Sequence, residues 1–259
     1  MKPNYGAAIA ALCAVGCTVS AANAQDSLAQ ANNPLANTKA LNFQNQYFGE
    51  LSGLDEDANQ FYLRYAQPFS AFGGNWLMRA TLPVNTLPQA GGGHETGIGD
   101  FNVFAAYLFD MGNPAISFGI GPQISMPTAT DDALGSEKWS LGFANVLFNA
   151  TNPKFQWGYL LTWQTSVAGN DDRADVNIGA FQPFGMYQLG QGWYLRSTGV
   201  WTYDFETDSY AVPIGLGIGK VTQTDRAIIN AFIEPQYSIA TGGDGQPEWG
   251  IFAGINFQF

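Results

Sequence analysis

Charge is scarce in this 259-residue chain: 12% of its residues are Asp, Glu, Lys or Arg, about half the usual share of a soluble domain. What charge there is leans acidic, and a formal net charge of −11 argues against nucleic-acid or polyphosphate partners. Histidine occurs once, at His94, and cysteine only at Cys13 and Cys17, both inside an N-terminal apolar run. A chain that sheds this run keeps no thiol, so thiolate catalysis and Cys-ligated metals drop out, and an oxidising compartment holds no risk of stray disulfides. Beyond the run, no segment reaches the ~18 consecutive apolar residues of a membrane helix. Yet 46% of the chain is hydrophobic, 14% is aromatic and 31 residues are glycine. Alternating strands reconcile these facts, because they hide their hydrophobicity from any window average.

The start of the chain reads as an export signal. Lys2 precedes the apolar stretch from Gly6 to Ala22, and Ala22-Asn23-Ala24 offers small residues around a cleavage point. A lipoprotein signal ending at Cys17 is the weaker alternative, because Ala14 stands where Leu is usual. The expected division is a signal peptide over 1–24, a flexible or plugging periplasmic segment over 25–38, and a barrel over 39–259.

From residue 39 the hydrophobicity alternates with a period of two, which sends one face of each strand to lipid and the other to a lumen. In the last segment Trp249, Ile251, Ala253, Ile255, Phe257 and Phe259 point one way; Gly250, Phe252, Gly254, Asn256 and Gln258 point the other. Phe252 is the apolar exception on the inner face. The same reading places Gln123 and Ser125, Gln156 and Gln164, and Asn230, Glu234 and Gln236 inward. Strands are expected near 40–51, 60–69, 75–86, 97–109, 115–127, 137–149, 155–168, 175–188, 192–206, 210–221, 227–240 and 248–259. The fold class is therefore all-β: a closed, antiparallel, up-and-down transmembrane barrel of about twelve strands, an even number as bacterial single-chain barrels have. Short connections such as Ser70–Asn75 and Leu189–Gln191 alternate with longer, acidic ones such as Gly53–Asn59 and Thr128–Ser136. That alternation puts both termini on the periplasmic side.

In order along the barrel come Asn33-Pro34-Leu35-Ala36, Phe43-Gln44-Asn45, Asn75-Trp76 with Arg79 and Leu82-Pro83-Val84, Gly97-Ile98-Gly99-Asp100 and Gly119-Ile120-Gly121-Pro122. Pro127-Thr128-Ala129-Thr130-Asp131, Leu134-Gly135-Ser136-Glu137-Lys138-Trp139, Gln182-Pro183-Phe184, Gly192-Trp193-Tyr194-Leu195, Val212-Pro213 and Gly217-Ile218-Gly219-Lys220 follow. Together they resemble a family of outer-membrane barrel transporters often mislabelled "neuromedin U" and related to barrels named for phenol degradation. The resemblance implies an outer-membrane barrel in a Gram-negative bacterium with a transport role, and assigns no substrate and no site residues.

Candidate lumen residues are the few charges expected to face inward: Arg64, Arg79, Arg196, Lys220, Asp100, Asp204, Glu206 and Glu234. Charges inside a membrane-embedded protein mark a hydrated path or an internal ion-pair network. Arg79, Arg196 and Glu234 are expected nearest a constriction, in a lumen that is either narrow and open or partly plugged. Phe259, Phe257 and Ile255 read as the signal for the barrel assembly machinery. Trp76, Tyr107, Trp139, Trp157, Tyr159, Trp163, Trp193, Trp201 and Tyr203 read as interfacial girdles. Acidic loop clusters such as Asp55-Glu56-Asp57 and Asp171-Asp172 either form a solvated rim or bridge divalent cations to the phosphates of lipopolysaccharide. The partners expected are outer-membrane lipid, lipopolysaccharide, the assembly machinery and a small solute of unknown identity, with no cofactor and no metal. An enzyme is disfavoured, because the one possible imidazole base, His94, sits in the glycine-rich loop Gly91-Gly92-Gly93. The rival to transport is a closed structural or surface-binding barrel.

Overall fold

A computed structural model describes residues 31–89 and 91–259. The expected signal peptide and residues 25–30 lie outside the described residues. The strands run β1 (Ala40–Leu51), β2 (Ala58–Ala71), β3 (Gly74–Pro88), β4 in two pieces (His94–Ile98 and Phe101–Phe109), β5 (Ile116–Met126) and β6 (Lys138–Asn149). They continue as β7 (Phe155–Gly169), β8 (Asn177–Gly190), β9 in two pieces (Trp193–Ser197 and Trp201–Asp204), β10 in two pieces (Ser209–Gly215 and Gly217–Gln223), β11 (Ile228–Gly242) and β12 (Pro247–Gln258). Every neighbouring pair is antiparallel, and β12 pairs with both β11 and β1, with Ile255 opposite Phe43 and Asn256 opposite Asn42. Twelve strands thus close on themselves. Closure leaves no sheet edge, the only arrangement in which a sheet satisfies its backbone groups within lipid.

Two of the tight connections have a clear backbone cause. Phe72 (φ 53°) with Gly73 (φ 75°), and Gln191 (φ 52°) with Gly192 (φ 81°), are two-residue turns with both residues left-handed. This mirror-image turn matches the right-handed twist of the strands it joins. Phe72 is an unusual occupant, 97% exposed, and its ring meets Trp76 edge-on at 6.4 Å. It extends a band of touching rings through Trp76, Tyr107, Phe109 and Phe118 on the outer wall near the end where β1 begins and β12 finishes.

The period-two rows of β11 lie as expected. Ile233, Tyr237 and Ile239 of β11 are exposed on the outside, and Glu234 between them is fully buried. Asn145 is a polar residue on the outer row of β6: its amide donates to the Gly119 carbonyl (3.0 Å) and accepts from the Tyr159 hydroxyl (2.9 Å). Those bonds remove most of the cost of a polar group facing lipid. Strands extend further into the loops than expected, to Pro88, Gly169 and Gly242. The loop after β5 folds back over the barrel mouth. A short 3₁₀ turn, Asp132–Leu134, buries Leu134 and is held by Asn85, which donates to the Leu134 carbonyl at 3.1 Å.

The interior is not empty. Residues 31–38 enter the barrel at the end where β1 begins. Ala31 packs with Phe148, Phe184, Met186, Tyr194 and Val221, while Leu35 packs with Ala66, Leu77 and Val146. Burying a side chain the size of Leu35 contributes roughly 1.5–3 kcal/mol. Polar bonds fix the segment's register: Asn33 to the Ser117 hydroxyl (3.0 Å), Asn230 to the Asn32 carbonyl oxygen of its side chain (3.0 Å), and Gln258 to the Ala31 main-chain carbonyl (2.9 Å).

Candidate functional site

Two adjoining cavities lie in the lumen among the described residues. The larger, about 720 Å³, opens toward the loop end and is walled by Tyr62, Thr81, Gln123, Gln164, Ile178 and Gln236, among others. The smaller, about 170 Å³, lies between the wall and residues 31–38. Six residues line both and therefore form the neck between them: Arg64, Arg79, Leu160, Gln182, Thr198 and Phe252.

Parity places these side chains. Arg64 stands opposite Asn42 on β1, and Arg79 opposite Ala66 on β2, in inward rows that also hold Tyr62, Leu77 and Thr81. The Arg64 guanidinium lies 4.3 Å from the Tyr62 ring centre and donates to Gln44; the Arg79 guanidinium lies 4.6 Å from the Phe104 ring centre. Neither forms an ion pair among the described residues, and the Nε of each is buried without a hydrogen-bond partner.

The third arginine is in a different situation. Arg196 Nε donates to Glu234 Oε2 at 2.7 Å, and its Nη2 donates to the Thr198 hydroxyl at 2.8 Å. That hydroxyl donates in turn to Glu234 Oε2 (2.8 Å), while the Thr198 backbone N–H and the Gln236 amide donate to Oε1 (2.7 and 3.0 Å). Arg196 also lies 3.6 Å from the Phe232 ring centre and 5.5 Å from that of Phe252. The interruption of β9 at 198–200 is what frees the Thr198 N–H from the ladder for this carboxylate. Phe252, the apolar exception on the inner face, is thereby explained: it covers a buried ion pair.

The expected lumen residues therefore separate. Arg64 and Arg79 reach the neck. Arg196 borders only the smaller cavity, and Glu234 borders neither, so the expectation that Glu234 stands at the constriction is corrected: its carboxylate is consumed by Arg196 and Thr198. Asp100 faces the larger cavity and is held by the Ser136 backbone N–H (2.8 Å) and hydroxyl (2.7 Å) and by the Ala129 N–H (3.3 Å), pinning the folded-back loop. Asp204 ends β9 and caps a turn, accepting from the Glu206 N–H at 2.8 Å; Glu206 is in that turn, exposed, and not inside the barrel as expected.

Lys220 is also corrected. It pairs with Trp193 across β9 and β10, continues the outer row of Ile214, Leu216 and Ile218, lies 5.0 Å from the Trp193 ring centre and donates to the Gln191 carbonyl. The outer row leaves the hydrocarbon at the rim, where an ammonium beside an indole suits the interface. The strand's own alternation was the signal that identifies it.

At the loop end, Lys138 is buried and its ammonium meets Asp175 at 3.1 Å. The hydrogen bonds from Lys138 and then Ser166 hold the Asp175 carboxyl below its ordinary value of 3.8. Arg173 ties neighbouring loops by donating to the Asp132 and Gly135 carbonyls, each at 2.7 Å. His94 Nε2 lies 3.0 Å from Asp57 Oδ1, and Glu56, Asp57 and His94 bring ligand atoms within 4.8 Å of one another on the exposed rim. Sequence reasoning missed Gln44, Thr198 and Gln182, because an uncharged inward residue on one strand carries no sign that it will face a guanidinium or a neck formed by others.

No family model matches the chain, and no match exists among the curated proteins compared with it. Solved structures do match. An outer-membrane channel from Pseudomonas putida F1 is similar at a TM-score of 0.66 and 12% identity, covering 88% of this chain and 99% of that one. The NanC porin is similar at 0.53 and 11% identity, covering 85% and 98%. The KdgM porin, solved in complex with disordered oligogalacturonate, is similar at 0.50 and 7% identity, covering 85% and 99%. At such identities the likeness establishes the fold, that of outer-membrane barrels.

Proposed function

We propose that this chain sits in the outer membrane of a Gram-negative bacterium and passes a small solute down its gradient through the lumen. The observation that carries the reading is the pair of cavities joined at a shared neck along the barrel interior. The barrel relatives named as a channel and porins support it. So does the sequence resemblance to the transporters mislabelled "neuromedin U" and to the phenol-degradation barrels, a kinship argued from motifs alone. Phe259, Phe257 and Ile255 serve as the assembly signal in this reading, and outer-membrane lipid and lipopolysaccharide surround the barrel. No step of bond-making chemistry belongs to it.

The competing reading, a closed barrel without transport, is favoured by residues 31–38, which pack into the end of the lumen where β1 begins. Liposome swelling separates the two, run on the wild-type chain and on a variant lacking residues 31–36, with a panel of sugars, organic acids and aromatic solutes. Passage of any solute by the wild type supports transport. Impermeability of both proteins to the whole panel sinks it, and permeability of the shortened chain alone makes the segment a closed plug.

A further inference from the structure

The charges of the neck are unbalanced. Of the three inward arginines, Arg196 is neutralised by Glu234, whereas Arg64 and Arg79 meet only an amide and aromatic faces. A guanidinium carries five N–H donors in a fixed fork and cannot shed its proton, so it stays charged whether or not a partner is present. An aromatic face offsets part of the desolvation of such a cation, on the order of 0.5–2 kcal/mol, and leaves its in-plane donors unused. The orphaned Nε atoms of both arginines are the visible mark of that deficit. Buried polar groups are normally paired, and a pair of unpaired guanidinium nitrogens beside one cavity calls for an explanation, of which an ion held there is one.

The walls around the two guanidiniums are apolar or neutral. Leu160 and Phe252 share the neck, and the larger cavity beside it, about 720 Å³, falls within the range that holds a small organic molecule. An occupant that satisfies both features carries one compact anion for the guanidiniums and an apolar body for Leu160 and Phe252 beside them. Bare chloride or phosphate answers the charge and leaves those two side chains uncovered. A neutral aromatic answers them and leaves the donors unpaired.

We propose that Arg64 and Arg79 form a carboxylate-binding site at the neck, selecting small organic monocarboxylates with an apolar body. This rests on the passage reading for its role, but the binding itself does not. The acidic loops are exposed and at the mouth, where salt screens them, while the neck charges are shielded from ions and screened less. The barrel's preference for anions is therefore expected to grow as ionic strength rises.

The test uses the full-length barrel in detergent micelles. Calorimetric titration with benzoate is compared with its neutral isostere benzamide, with acetate and with chloride. Benzoate is expected to bind at least about tenfold tighter than benzamide, the size of effect a charged hydrogen bond gives, and tighter than acetate or chloride. R64Q/R79Q loses that preference, and R64K/R79K, which keeps both charges, retains part of it. Heat-modifiable migration on gels verifies that each variant is a closed barrel. Equal binding of benzoate and benzamide overturns the proposal, as does unchanged benzoate binding by folded R64Q/R79Q. Chloride or acetate binding as tightly as benzoate overturns the choice of an apolar carboxylate. Reversal potentials in bilayers under a salt gradient give the second readout. Benzoate binding without conductance or swelling keeps the site and defeats passage; conductance indifferent to charge and to both arginines keeps passage and defeats the site.

Discussion

Replacing Glu234 by alanine is expected to destabilise the barrel by about 3–5 kcal/mol, the cost of stranding one member of a buried ion pair. Glu234 is completely buried and accepts from Arg196, from Thr198 twice and from Gln236. Four charge-assisted bonds summed naively give about 6–12 kcal/mol, but desolvating the carboxylate cancels much of that, which is why the lower range is the expected loss. Arg196 is left 7% exposed with no counter-charge, against Phe232. Removing both charges in R196M/E234M relieves the stranded cation. What remains is the Thr198 N–H, the Thr198 hydroxyl and the Gln236 amide without their carboxylate acceptor, a loss that E234A shares, so the double variant is expected to be more stable than E234A. The assay is reversible unfolding by guanidinium in lipid vesicles, followed by tryptophan fluorescence. Wild-type stability of E234A, or a double variant less stable than E234A, refutes the reasoning.

Three further outcomes follow from the same geometry. The Asp175 carboxyl titrates below 3.8 in NMR spectra of the folded barrel, and Lys138→Met moves it back up; because its folded value is depressed, the stabilisation by this contact is full above 3.8 and lost as pH falls through the folded value. Gly142→Ala puts a methyl 1.8 Å from the Trp163 carbonyl oxygen, so the β6–β7 ladder must part, and the folded, heat-modifiable fraction is expected to drop sharply. Asn230→Leu removes both the anchor of Asn32 and the acceptor of the buried Tyr194 hydroxyl (2.6 Å). It is expected to raise the proteolytic sensitivity of residues 31–38 while the barrel stays closed, and unchanged protection argues against that anchor.

The barrel was legible because a closed sheet in lipid imposes one rule on every strand. Each inner and outer row follows from a period of two, and once Phe257 and Ile255 face lipid, Asn256 and Gln258 have nowhere to point but inward. Expected strand limits accordingly fall within a few residues of those observed, from 40–51 for β1 to 248–259 against Pro247–Gln258 for β12. Lys220 departs from the inward side expected of it, because Ile214, Leu216 and Ile218 set its row outward. Glu206 departs from the lumen because a strand's last residues and a turn's first share the same polar composition.

Alternation along one strand is a local property, so the sequence by itself determined the fold class, the strand count and the direction in which Arg64, Arg79, Arg196 and Glu234 point. Partnership is not local. Glu234 on β11 meets Arg196 on β9, and Arg64 stands beside Gln44, only after closure has set the stagger between strands. Which arginines are neutralised, which stay unbalanced at the neck, and how residues 31–38 fill the lumen were decided by the tertiary structure alone, because Coulomb and hydrogen-bond energies depend on distances across the barrel that no single strand encodes.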